Sequence, residues 1–193
     1  MSDLESGASA SPADVARAIR LDRILVIALA SGLLIYVAYL FWDARQRQGL
    51  PPAPGAGLPV VALVFLGVAA GAVGMGWLVP HIVFMQLRQR MAQGLSFRLS
   101  FNPVLSGKTD DEQLLEARRT CMIIRCAFLE AAGFGNGVAF MLAHSPYSLA
   151  VAAAMVAGIA LQFPHAGRTA QWLDEQRRWL ETERALNQLR APR

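Results

Sequence analysis

The sequence predicts an all-α integral membrane protein: a four-helix bundle followed by a cytoplasmic C-terminal amphipathic helix. Three observations predict it. Hydrophobic residues make up 54% of the 193-residue chain and charged residues only 17%, outside the usual soluble range. The apolar residues are gathered into blocks. Ile24–Trp42 is uncharged, Gln48–Leu87 has no Lys, Arg, Asp or Glu, Cys126–Ala143 contains only Glu130, and Pro146–Phe163 has no charge. Each block supplies about the 20 helical residues that a hydrocarbon core of roughly 30 Å requires. Finally, the basic residues alternate with the blocks. Arg88, Arg90, Arg98, Lys108, Arg118 and Arg119 lie between the second and third, and none lies in the turn between the third and fourth. The positive-inside rule then places both termini and the 81–119 segment in the cytoplasm. The net charge of +4 reads as a topology signal and does not imply a nucleic-acid partner.

Each element follows from local signals. Residues 1–11 have the composition of a disordered tail. Ser11-Pro12-Ala13-Asp14 offers a serine N-cap, proline at the first helical position and an acid at the third, so the first helix starts at Pro12. Its span covers about 24–42, with Tyr36, Tyr39 and Trp42 as an interfacial anchor. The late start of this run and the lack of a small-residue cleavage pattern argue against a removable signal peptide. Pro51-Pro52-Ala53-Pro54-Gly55-Ala56-Gly57 reads as an irregular outer loop.

The second span, about 60–80, carries Gly67, Gly71 and Gly74 on one side, where a neighbouring backbone could approach. Pro80 is a kink point, beyond which the helix can continue into the basic zone. Leu95, Phe97, Leu99 and Phe101 alternate with Ser96, Arg98 and Ser100, a pattern read as an interfacial stretch or half of a small hairpin. Thr109-Asp110-Asp111-Glu112 is a capping box that starts the third helix, whose span is 121–143. His144-Ser145-Pro146 forms a tight turn with Ser145 as N-cap, making an antiparallel hairpin with the alanine-dense fourth span, 146–163, which also holds Gly158. Pro164 and Gly167 close the transmembrane domain, 12–165. The tail helix, 166–193, carries Trp172, Leu173, Trp179, Leu180 and Leu186 as a seam for a membrane surface or a partner helix.

Glu130 is the candidate ion or proton site. A carboxylate near the bilayer centre costs about 2.5–3.5 kcal/mol even on the lenient insertion scale, so its cost should be offset by structure or by function. Cys126, Ala127, Gly133, Phe134, Gly137 and Met141 share its face, so it is expected to face protein, covered by the second and fourth helices. Without a partner, desolvation would keep it neutral and able to exchange a proton. Equally, it can be a structural glutamate that holds the bundle together. Arg125 lies about 140° round the helix and is expected to snorkel toward headgroups. Asn136 is nearly in line with it, so the two form a sparse polar support. Gly67, Gly71, Gly74, Gly133, Gly137 and Gly158 are the expected helix-packing glycines.

Cys121 and Cys126, also about 140° apart, read as inert thiols. His81, His144 and His165 share no turn with another ligand, so no metal site is expected. No phosphate loop, H-E-x-x-H or G-x-S-x-G is present, so neither a cofactor nor an enzymatic activity is expected.

Two resemblances add to this. Gly67-x3-Gly71-x2-Gly74-x-Gly76, with Phe128-Leu-Glu130-Ala-Ala-Gly-Phe-Gly-Asn-Gly137-Val, resembles the glycine-rich and carboxylate helices of rotor-ring proteolipids of the ATP synthase c type. That resemblance implies ion carriage by Glu130. The chain departs from it in its long 80–120 connection, which lacks the Arg-Gln/Asn-Pro signature, and in its extra helices. The stretch from Ile124-Arg125 through Glu130, the tight turn and Phe163-Pro164-x3-Arg168 resembles small, uncharacterised bacterial inner-membrane proteins with Arg-x4-Glu in the third of four helices. It implies no known activity; the expected location, a multi-pass protein of the cell membrane, follows from the apolar blocks and the basic residues between them.

The expected function is that of a structural or accessory membrane protein. Its partners would be the lipid bilayer and, through small-residue helix faces, a second copy or another membrane protein. The alternative is a proton- or cation-coupled module that uses Glu130. A transporter usually shows an internal repeat or broken helices with polar residues at the midplane, and this sequence shows neither.

Overall fold

A computed structural model describes residues 12–46, 60–94 and 109–190. The readings of the N-terminal tail, the outer loop at 51–57 and the alternating stretch 95–101 lie outside the described residues. Within them the chain is all-helical, with no strand: α1 (Pro12–Gln46), α2 (Val60–Ala92), α3 (Asp110–Ala143), α4 (Pro146–Ala160) and α5 (Ala166–Arg190). Helices α1, α2 and α3 are long and apolar enough to cross a membrane, which marks the chain as a membrane protein.

Local chemistry sets the boundaries. The Thr109 hydroxyl accepts the Glu112 backbone N–H at 3.4 Å, and its carbonyl accepts that of Gln113 at 3.1 Å. At the hairpin, His144 takes a left-handed backbone (φ 49°), a conformation in which His is enriched among non-glycine residues. Ser145 is extended and precedes Pro146, but its side chain makes no capping bond. Its carbonyl takes the Ser148 N–H instead, at 3.1 Å. Helix α4 ends at Ala160, followed by a turn at Leu161 and Gln162, so it is shorter than the expected 146–163 span. Its 15 residues reach about 22 Å at the helical rise. Pro164 explains the early end, because it has no N–H to give the Ala160 carbonyl, which takes the Phe163 N–H at 3.1 Å instead.

Packing divides the chain into two compact units. The first comprises Arg23–Val79 and Ile123–Phe163. Its buried positions recur every seven residues: Val26, Leu33 and Leu40 on α1, Ala62, Ala69 and Gly76 on α2, Cys126, Gly133 and Phe140 on α3, and Ala152 and Ile159 on α4. A seven-residue spacing is the signature of helices packed nearly parallel, with side chains of one seated in gaps of the next. Gly133 and Gly137 are where α1 comes closest: a Cβ at Gly133 would lie 2.6 Å from Leu33 Cδ2, and one at Gly137 would lie 2.8 Å from Leu40 Cδ1 and run into the Tyr36 ring. Helix α1 therefore occupies this side of α3, where the second and fourth helices had been expected.

The second unit comprises Met1–Asp22, Pro80–Met122 and Pro164–Arg193. Met91, Ala92, Leu114, Leu115, Leu173 and Leu180 form its core, with Val15, Ala18, Trp172 and Trp179 packed against it. Charged pairs surround the core. Arg177 grips both carboxylate oxygens of the buried Asp111, and this hydrogen bonding raises its pKa above the ordinary arginine value. Arg184 does the same to Asp110 and also donates to the Met91 carbonyl at the end of α2. Arg119 donates to the buried Asp22 at 2.6 Å and to the Ala18 carbonyl. Arg88 stacks on Trp179 at 3.7 Å, and Arg118 on Trp172 at 5.6 Å. Burial pushes the Arg118 guanidinium down, partly offset by Asp22. The apolar seam of α5 is thus covered by the chain's own helices, and of the expected stripe Leu186 faces outward.

Candidate functional site

The polar residues of α3 within the first unit lie on two different sides of the helix. Asn136 and Arg125 are on the packed side. Asn136 is 1% exposed, and its Nδ2 donates to the Phe65 carbonyl of α2 at 3.3 Å and to its own Ala132 carbonyl at 2.9 Å. Its Oδ1 is buried and has no partner among the described residues. Gly135, one residue earlier, leaves room for Phe65 Cδ1, which a Cβ would meet at 3.2 Å.

Arg125 is half-buried and centres a compact node. Its Nε donates to the Gly76 carbonyl at 3.3 Å, its Nη1 donates to Gln162 Oε1 at 3.1 Å, and its guanidinium lies 4.7 Å from the centre of the Trp77 ring. The Gly76 bond has a specific cause. Within α2 the carbonyl of Gly76 would ordinarily accept the N–H of the residue four positions on, which is Pro80 and has none. Arg125 supplies the missing donor. That allows α2 to run on through Pro80 to Ala92 as one helix. Gly76 also lets α3 approach, since a Cβ there would lie 3.3 Å from Phe128 Cβ. Arg125, expected to reach toward the headgroups, is thus also tied to the protein by two hydrogen bonds and an aromatic contact.

Glu130 lies away from that packed side. It is half-buried at the margin of α3, between packed Cys126, Gly133 and Gly137 and outward Ala127, Phe134 and Met141. Its carboxylate has no hydrogen bond or ion pair among the described residues. It therefore stands apart from Arg125 and Asn136, and the three do not form one site.

The glycines also divide. Gly133, Gly137 and Gly158 are used inside the first unit, the last against Leu129 at 3.4 Å. Gly67, Gly71 and Gly74 face outward from α2, and a Cβ at any of them would meet nothing within 4 Å among the described residues. Sequence reasoning missed Gly76, whose seven-residue spacing from Ala69 and Ala62 was the available signal. It also missed Gln162 and Trp77 as partners of Arg125, for which the sequence holds no local sign. No family model, curated protein or solved structure matches the chain.

Proposed function

We propose that this is a structural or accessory protein of the cell membrane, a four-helix bundle with both termini in the cytoplasm, which associates through α2 with a second copy or another membrane protein. The observation that carries the proposal is the outward placement of Gly67, Gly71 and Gly74. Glycine within a helix costs roughly 1 kcal/mol relative to alanine, and nothing among the described residues offsets that at these three positions. A helix packed against this side would, because small residues let two backbones come close enough for extensive van der Waals contact. The Lys and Arg distribution supports the orientation.

The test is assembly in mild detergent. Native protein should elute as an oligomer or with a co-purifying membrane protein, and Gly71→Ile should elute alone while remaining folded. Native protein that is monomeric and free of partners would overturn the proposal.

One observation favours a second reading, proton or cation coupling through Glu130: its carboxylate is half-buried and has no partner among the described residues. Dicyclohexylcarbodiimide attacks protonated carboxyls in apolar surroundings. Labelling at Glu130 that falls as pH rises, with loss of coupling in Glu130→Gln, would establish the carrier role. No labelling, together with a silent Gln variant, would dismiss it.

A further inference from the structure

Arg125 is a cation without a matching anion. Two of the five N–H donors of a guanidinium are taken, by Gly76 and Gln162, and no carboxylate pairs with it among the described residues. Its place in the chain indicates what can supply the charge. Arg125 directly precedes the apolar run 126–143, and Arg23 directly precedes the run 24–42. Phe163 ends the run 146–163, and Arg23 lies over its ring at 5.5 Å. The ends of three apolar runs thus meet near Gln162 and Phe163, the level at which hydrocarbon gives way to headgroups. Trp77, on which Arg125 stacks, is 65% exposed, as an interfacial aromatic is.

We infer that Arg125, steadied by Trp77, Gly76 and Gln162, holds the phosphate of an anionic phospholipid headgroup. A guanidinium fork matches two phosphate oxygens, and such charge-assisted bonds are the strong ones. The Gly76 and Gln162 bonds fix the plane of the fork, and the Trp77 ring covers one face, so the remaining donors lie in that fixed plane. The same chemistry would take free phosphate, and the outward Trp77 at the headgroup level favours the lipid.

The test uses the full-length protein in mild detergent, titrated with phosphatidylglycerol, phosphatidylcholine or diacylglycerol, with retained lipid counted by native mass spectrometry. Phosphatidylglycerol should be retained most and diacylglycerol not at all. Arg125→Gln should lower phosphatidylglycerol retention about tenfold, in line with the loss of a charge-assisted contact. Arg17→Gln, at an exposed position of α1, should leave it unchanged. Because Arg125 also satisfies Gly76, two gentler variants guard against misfolding. Arg125→Lys keeps the charge without the fork, and Trp77→Leu keeps the cation without its platform. Each should weaken retention several-fold. Native retention of phosphatidylglycerol in both would overturn the inference, as would equal retention of the anionic and zwitterionic lipids. Displacement of phosphatidylglycerol by an equal concentration of inorganic phosphate would overturn the lipid assignment in favour of a free-anion site.

Discussion

Substituting alanine for glycine should have opposite effects at two places that look alike in sequence. At Gly137 the new methyl would lie 2.8 Å from Leu40 Cδ1 and 2.9 Å from Tyr36 Cζ, against an ordinary contact of 3.4–4 Å. Leu40 is fully buried and a tyrosine ring is stiff, so the strain is not easily relieved. Overpacking of this kind costs about 1–3 kcal/mol, and the better helix propensity of alanine returns up to about 1, leaving a net loss of roughly 1–2. At Gly67 none of the described residues lies within 4 Å of the new methyl, so only the propensity gain of about 0.5–1 kcal/mol remains. The two variants should therefore differ by about 2 kcal/mol, or roughly 4–8 °C in Tm for a chain of this size. Thermal unfolding of the monomeric fraction in detergent, followed by circular dichroism at 222 nm, measures this. A Gly137→Ala protein as stable as Gly67→Ala would refute the assignment of these glycines to an inner and an outer side.

Further outcomes follow from other contacts. Asn136→Leu removes the interhelical hydrogen bond to the Phe65 carbonyl and should destabilise by about 0.6–1.7 kcal/mol, measured by unfolding in mixed micelles. Arg177→Gln strips the buried Asp111 of its fork and should cost about 2 kcal/mol, visible as faster amide exchange along α5 with little change in the first unit. Leu180→Ala, at a residue 2% exposed, should cost about 2–5 kcal/mol and free the Trp179 stack, read as a shift in tryptophan emission. For orientation, in a variant with Cys121 and Cys126 replaced by serine, a cysteine at exposed Ala170 should react only from the cytoplasm and one at exposed Tyr147 only from outside. The reverse would invert the topology.

What the sequence revealed was mainly local. Thr109 to Glu112 and Pro146 mark helix starts through bonds or exclusions within one turn, and those boundaries match the structure. The uncharged run extends to Phe163, whereas α4 itself ends at Ala160, because Pro164 withholds the next helical donor. Periodicity placed Gly67, Gly71 and Gly74 on one side of α2, but small size does not say which side packs. The heptad Ala62, Ala69 and Gly76 occupies the opposite side and is the one that is buried. Arg125 was legible as an anomaly, not as a donor to Gly76. Its partners are 49 and 37 residues away in the chain, and only the fold brings them together.

The bond from Arg125 to Gly76 makes two distant positions mutually dependent. Pro80 leaves a carbonyl in α2 without its helical donor, and that vacancy is acceptable only while Arg125 fills it. Pro80→Ala would restore the backbone N–H and make the arginine dispensable to α2. The two substitutions should then be strongly epistatic: Arg125→Gln harmful alone and milder with Pro80→Ala, by a coupling of about 0.5–3 kcal/mol. A lineage of such chains could acquire the proline only after the arginine, and could lose the arginine safely only after the proline.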